Sequence, residues 1–370
     1  MKKIRFAVDI GTTNIELCLV DVNGLVLGNK TFPNRQSLYG SDVLNRIYTV
    51  TRDASFLKVM KNMVIEDLKQ YFLLLLEENG YNPSNVDIII ISGNTTMISI
   101  LLSYDITSMG YAPFSSVLGK SVYVDAGIMF DGMFCDNVKV LLTGCVSAFV
   151  GGDILSGMYF LKKTHSFGDD TISLFIDMGT NGEIVLCNRG IYIATSTACG
   201  PAFEGCTRKQ HIYGATVIDA LSMGINSGKI DRKGILDDDY IASGIDIMDV
   251  HIDSNIIEQI LVAKSAICTG VMSLLDMQCL TFSDIEKVYI AGGFGFYLNQ
   301  ESAMNIGLLP QAFSGKMEIL GNTSLQGAVS LLDDLKETLD IDTYSISVIN
   351  LANDDRFKEN LIENMSFARI

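Results

Sequence analysis

Asp9-Ile10-Gly11-Thr12-Thr13-Asn14, at the end of the apolar stretch 4–9, returns as Asp177-Met178-Gly179-Thr180-Asn181-Gly182 at the end of the stretch 172–177. In both places a short apolar run reads as a buried strand, and the glycine behind it ends the strand in a turn. A second strand starts at once, over 15–21 in the first copy and 183–187 in the second. Another turn leads into a third strand: Asn23-Gly24 into 25–30, and Asn188-Arg189-Gly190 into 191–195. Two meanders with the same carboxylate-tipped turn, a domain's length apart, mark a duplicated α/β unit.

Outward from the meanders, helices and strands alternate. Residues 56–79 read as a long amphipathic helix, 86–92 as an apolar strand, 95–102 as a short helix, 138–142 as a strand and 147–162 as a helix. In the second half 254–278 form a long helix, 287–291 a strand, 300–306 a helix, 317–320 a strand and 324–335 a helix. A last strand at 345–351 and a helix at 355–365 close the chain. This alternation predicts a parallel or mixed sheet covered on both faces in each half. The 370 residues divide into lobes at 1–170 and 171–370, joined near 160–172.

Composition narrows the function classes. With 43 acidic against 27 basic residues the net charge is −16, which repels phosphate backbones, and no basic stripe is present; nucleic-acid binding is therefore disfavoured. The longest uninterrupted apolar runs, 71–76 and 88–91, are far short of the roughly 18 residues that span a bilayer. Asp9 interrupts the signal-like start, so neither membrane nor secretion is expected. The eight cysteines include no C-x-x-C pair, which fits a reducing cytoplasm and argues against a ferredoxin-type cluster in this chain.

The turns carry the chemistry. A glycine after a strand lets backbone approach a ligand, and successive turn N–H groups form an anion nest. Gly11, Thr12, Thr13 and Asn14, with Gly179, Thr180, Asn181 and Gly182, are the candidate phosphate contacts. Asp9 and Asp177 would hold Mg²⁺ through water beside those phosphates. One such turn alone would be an ordinary hairpin; two matching turns are far more specific. Gly292-Gly293-Phe294-Gly295, after the strand 287–291, would let an adenosine lie against backbone, although a tight strand-to-helix turn is the plainer reading. In Gly151-Gly152-Asp153 the carboxylate would orient an attacking water, which makes Asp9, Asp153 and Asp177 the catalytic candidates. Gly327 and Ala328 permit close helix contact.

This order of elements resembles the superfamily of actin, sugar kinases and heat-shock chaperone ATPases. The resemblance implies two ribonuclease-H-like lobes with ATP and Mg²⁺ in a cleft between them. Tyr39-Gly40-Ser41-Asp42-Val43-Leu44-Asn45-Arg46-Ile47, Gly93-Asn94-Thr95-Thr96-Met97, Val150-Gly151-Gly152-Asp153, Gly200-Pro201-Ala202-Phe203-Glu204-Gly205, Ala263-Lys264-Ser265-Ala266-Ile267 and Ile306-Gly307-Leu308-Leu309-Pro310 look, with the two turns, like the ATPase part of the reductive activators of corrinoid proteins. That family returns a methyltransferase's corrinoid from Co(II) to Co(I) at the expense of ATP. Its members usually carry a fused iron–sulfur domain, whereas this sequence starts with the ATPase core, so electrons are expected from a separate donor protein. The stretch between Glu204 and Ile218 is also shorter than the family's.

Three other readings remain open at this point. One is a non-redox ATP clamp or chaperone-like protein for a corrinoid partner; another is a small-molecule kinase. The third is an activator of the 2-hydroxyacyl-CoA dehydratase type, a homodimer bridging one cluster through Cys145 and Cys199 or Cys199 and Cys206. Against the third, buried thiols more often serve as small core hydrophobes. His165, His211 and His251 are isolated, and Arg208-Lys209-Gln210-His211 and Asp237-Asp238-Asp239 read as solvated loops.

Overall fold

A computed structural model describes residues 3–168, 170–199, 214–293, 295–333 and 344–370. Phe294, Cys206, the motif 200–205 and the basic island 208–211 lie outside them.

The first meander is β1 (Ile4–Ile10), β2 (Asn14–Asp21) and β3 (Val26–Pro33), each strand antiparallel to the next. Helices α1 (Val43–Arg52) and α2 (Ser55–Glu78) follow, and β4 (Val86–Gly93) returns parallel to β1. After α3 (Thr95–Leu102) come β5 (Val122–Asp125), α4 (Ala126–Met129), β6 (Lys139–Leu142) and α5 (Gly152–His165). The sheet order is β3-β2-β1-β4-β6-β5, with β6 parallel to β4 and β5 antiparallel at the edge.

The two-residue period of β1 explains this packing. Ile4, Phe6, Val8 and Ile10 enter one core, and the alternate positions Ala7 and Asp9 face the other side. The stripe Met60, Val64, Leu68, Phe72 and Leu76 of α2 covers that core at four-residue spacing. The Phe72 ring centroid lies 4.4 Å from that of Phe6 and 5.4 Å from that of Phe130. Full burial of each such side chain contributes about 1.5–3 kcal/mol.

The second meander is β7 (Ile172–Met178), β8 (Asn181–Asn188) and β9 (Ile191–Ala198). It leads to α6 (Gly214–Asn226), the small hairpin β10 (Ile245–Ile247) and β11 (Val250–Ile252), and α7 (Ser254–Met277). Strand β12 (Lys287–Ala291) lies parallel to β7; α8 (Gln300–Asn305) and β13 (Met317–Gly321) follow, β13 parallel to β12. Helix α9 (Thr323–Asp333) comes next, then β14 (Ile346–Val348), parallel to β9, and α10 (Asp355–Glu363). This sheet runs β13-β12-β7-β8-β9-β14. Strands β9-β8-β7-β12-β13 thus repeat the order β3-β2-β1-β4-β6, which is the duplication expected from the sequence and the α/β fold of actin-like ATPases.

The compact units are residues 1–166 with 323–344, and 167–322 with 345–370. They depart from a single division at residue 170, because α9 packs on the face of the first sheet opposite α2, beside α5. A Cβ on Gly327 would lie 2.0 Å from the Ser156 carbonyl oxygen of α5. Gly327→Ala must therefore push two backbones apart. We expect it to lower unfolding free energy by about 1–3 kcal/mol in chemical denaturation, and an unchanged midpoint would refute this account of the helix contact.

Four local differences from the sequence reading have plain causes. The helix expected from 147 begins at Gly152, because the Ser147 hydroxyl accepts from Val150 N at 3.1 Å and closes a turn instead. The last strand ends at Val348, and Leu351–Asn353 is a 3-10 turn capped by Asn350. Helix α7 is apolar enough (mean hydropathy 1.6) and, at 24 residues, long enough to cross a membrane, but 72% of its most apolar stretch is buried. Helix α1 escaped notice because it is short and polar; the Asp42 carboxylate caps it by accepting from Asn45 N at 2.8 Å.

Candidate functional site

The two sheets place Asp9 and Asp177 alike. Each is the penultimate residue of the first meander strand. Asp9 pairs with Glu16 on β2 and with Ser92 on β4; Asp177 pairs with Glu183 on β8 and with Ala291 on β12. Paired residues on adjacent strands share a face of the sheet, so each aspartate has a glutamate for a neighbour. Glu183 is buried, and the Ser196 hydroxyl donates to it at 3.4 Å. The sequence reading passed over Glu16 and Glu183, although aligning the two turns puts a glutamate just behind each.

In the first unit a chain of buried hydroxyls orients Asp9. The Ser324 hydroxyl, at the start of α9, donates to Asp9 Oδ1 at 2.7 Å and lies 2.9 Å from the Ser92 hydroxyl. Ser92 donates to the Gly152 carbonyl at 3.0 Å and lies 2.9 Å from the Ser156 hydroxyl on α5. Burial fixes these rotors, so the carboxylate is aimed from below by α9 and α5.

The start of α5 meets the same region. A Cβ on Gly151 would stand 2.6 Å from Thr95 N and one on Gly152 2.8 Å from Gly144 O, so both glycines are required by close backbone approach. The motifs 93–97 and 150–153 are thereby brought together. Thr95 Oγ1 donates to Ser147 O at 2.8 Å, and Asn94 caps α3 by accepting from Thr96 N at 2.9 Å. Asp153 lies in the first turn of α5, where its Oδ1 accepts from Ile154 N at 2.9 Å. Desolvation pushes its carboxyl up to about 6, against the N–H bonds that favour the anion. A carboxyl so placed can exchange a proton near neutral pH.

The turns themselves differ. Gly11, Thr12 and Thr13 span three residues between β1 and β2, are partly accessible, and Asn14 behind them is exposed. Gly179 and Thr180 make a two-residue link; the Gly179 N–H donates to Asn181 O at 2.9 Å and is committed within the turn. Thr180 is buried and Asn181 partly accessible. Gly182 lies buried in β8, where a Cβ would meet Ile267 Cδ1 at 2.1 Å and Cys199 Sγ at 2.9 Å; the structure gives it a packing reason. Gly292, at a φ of +92°, stands where a Cβ would lie 2.3 Å from Met178 O and 2.7 Å from Asp177 Oδ1. Its lack of a side chain lets β12 end against the Asp177 turn. Gly293 is exposed with open space beside it, while Gly295 packs on Ile290.

Among the described residues, no three His, Cys, Asp or Glu side chains converge into a metal-binding group. One carboxylate per turn fits Mg²⁺, which keeps its waters and takes one or two carboxylates plus phosphate oxygens. Burial, the dominant cause, pushes the Cys199 thiol up to about 12 and also raises that of Cys145, which donates to Leu118 O at 3.0 Å. Cys199 is buried in the core of the second unit, and Cys145 packs against that of the first.

Comparisons with known proteins cover nearly the whole chain. Residues 4–165 match the RACo middle region, and two overlapping stretches, 171–210 and 205–369, match the C-terminal domain of RACo, the ASKHA domain. The chain is 26% identical over 421 residues to the corrinoid activation enzyme RamQ of Eubacterium limosum, covering 98% of this chain and 70% of that protein. It is 24% identical over 398 residues to the Co(II) methylated amine-specific corrinoid protein reductase of Methanosarcina barkeri, covering 90% and 71%. Among solved structures, a reductive activator for corrinoid, iron–sulfur protein superposes with a TM-score of 0.87 at 28% identity. That match takes in 99% of this chain and 66% of the other.

Proposed function

Because the chain belongs to the RACo family, through its middle region and its ASKHA domain, we propose that it is the ATPase core of a reductive activator, using ATP to return a corrinoid protein from Co(II) to Co(I). One electron, from a donor outside these 370 residues, reduces the cobalt, and ATP supplies the driving force for that uphill step. The observation that carries this reading is the repeated device in two copies of one sheet order: an aspartate at the strand end, a glycine–threonine turn and a parallel strand beside it.

In this reading Gly11, Thr12 and Thr13, with Thr180 and Asn181, contact the phosphates. Asp9 and Asp177 hold Mg²⁺ through its waters, and Gly292 and Gly293 lie against the adenosine. Asp153 holds and removes the proton of the attacking water. The metal supplies charge neutralisation on the phosphate oxygens when bound. Glu183 keeps Ser196 and the β8 backbone in register with Asp177. The relatives' names point to a corrinoid protein as the partner class.

ATP turnover measured with and without a corrinoid protein, alongside the cobalt absorption spectrum, tests the proposal. Turnover is expected to be slow alone and to rise about tenfold or more with the partner, and Co(I) should form only when ATP and a low-potential donor are both present. Phosphorylation of a small soluble acceptor, or Co(I) formation at equal rate without ATP, would overturn it.

A further inference from the structure

The segment 34–47 has no part in the chemistry described so far, yet it ends against the first turn. Asn34, Gln36 and Arg46 are all buried, Asn34 and Arg46 completely. Three consecutive carbonyls of the turn are taken up by this segment. Gly11 O accepts from Asn34 Nδ2 at 2.9 Å, Thr12 O accepts from Arg46 Nη2, and Thr13 O accepts from Asn34 N at 2.7 Å.

The guanidinium is locked in turn. Its Nε donates to Gly40 O at 3.0 Å, its Nη1 donates to Gln36 Oε1 at 3.1 Å, and Nη1 also lies 2.9 Å from Met97 Sδ. Gln36 Nε2 donates to Met60 O at 3.1 Å, tying the cluster to α2. Gly40 has no room for a side chain, since a Cβ would stand 2.6 Å from Arg46 N. Burying a guanidinium is costly unless its donors are used, and a fork with this many fixed acceptors has one orientation.

We infer that Arg46, with Asn34, is the positioning group of the first phosphate turn: it turns the carbonyls of Gly11, Thr12 and Thr13 toward the protein and puts a permanent positive charge behind the turn. A carbonyl facing a phosphate would repel it; with three carbonyls held back, the turn presents its N–H and hydroxyl groups. Lysine could keep the charge but not the several-pronged hold. The ligand class is the phosphate chain of a nucleotide, so the inference rests on the reading of this turn given above.

The test is calorimetric titration of the full 370-residue chain with MgATP, MgADP and adenosine. Arg46→Gln is expected to weaken MgATP and MgADP binding about 10–100-fold and leave adenosine within about twofold, the loss of one or two charge-assisted hydrogen bonds near an anion. Arg46→Lys should fall between. Asn34→Ser keeps the cap on Gln36 N but loses the donor to Gly11 O, and should weaken both phosphate ligands by about 3–10-fold. It serves should the arginine variants fail to fold, as judged by their thermal unfolding. Folded variants that bind MgATP like wild type overturn the inference, as does a parallel loss of adenosine, which would mean a merely structural role. If wild type binds adenosine but shows no gain from the phosphates, the phosphate-turn reading itself fails.

Discussion

Asp9→Asn and Asp177→Asn are each expected to lower ATP turnover by about 100-fold or more and to abolish the dependence of nucleotide affinity on Mg²⁺. The size follows from removing one full charge beside a polyphosphate, where a single preorganised electrostatic contact is worth about 10²–10³ in rate. The substitution is close to isosteric. In the first turn an asparagine Oδ1 still accepts from Ser324, whose hydroxyl is 2.7 Å from Asp9 Oδ1, so the sheet and α9 keep their packing. In the second, the glycine at 292 leaves space against the same atom of Asp177, and an amide fits where the carboxylate did. Titrating ATP with and without Mg²⁺ separates the metal effect from a folding effect. Either variant retaining wild-type turnover removes its carboxylate from the chemistry. Activity lost while the Mg²⁺ dependence stays intact removes that carboxylate from the metal site.

Asp153→Asn should make the protein more stable and far less active at once. Its carboxyl titrates near 6, above the ordinary 3.8, because burial disfavours the anion. The stabilisation owed to the neutral acid is complete below pH 3.8 and is lost as the pH rises through 6. An asparagine never carries that buried charge and can still accept from Ile154 N. At pH 8 the variant is therefore expected to unfold with about 1–3 kcal/mol more free energy than wild type, the gap closing in acid. Turnover should fall by about 10²–10⁴, the usual worth of a general base, and the wild-type rise in rate through pH 6 should vanish with it. Denaturant titrations at pH 4.5 and 8 read the first effect, and a pH–rate profile the second. A variant less stable at pH 8, or one that keeps the limb near pH 6, contradicts the assignment.

Much of this was readable from residue order because it is local. A buried strand must alternate or be wholly apolar, so Ile4, Phe6, Val8 and Ile10 announce β1, and the strand ends where Gly11 or Gly179 follows. The repeat of aspartate, glycine and threonine then marked both halves as copies, and α2 and α7 followed from their long apolar stripes. Shorter elements whose stability comes from neighbours were not readable. Helix α1 depends on Asp42 and Arg46; the three- and four-residue strands β5, β10 and β11 are too short to show a period and were missed, and β14, expected over 345–351, is cut to the residues that pair with β9 far back along the chain.

Residue order alone thus determined two meanders, their carboxylate-tipped turns and the class of ligand those turns suit, since each rests on pairings between strands adjacent in the chain. Tertiary structure decided which groups serve the turns. Ser324 reaches Asp9 across more than 300 positions, Arg46 and Asn34 hold the carbonyls of the first turn, and Asp153 acquires its raised pKa by being desolvated at the start of α5. Hydrogen-bond geometry and desolvation depend on distances in space, and no spacing along a chain encodes them directly.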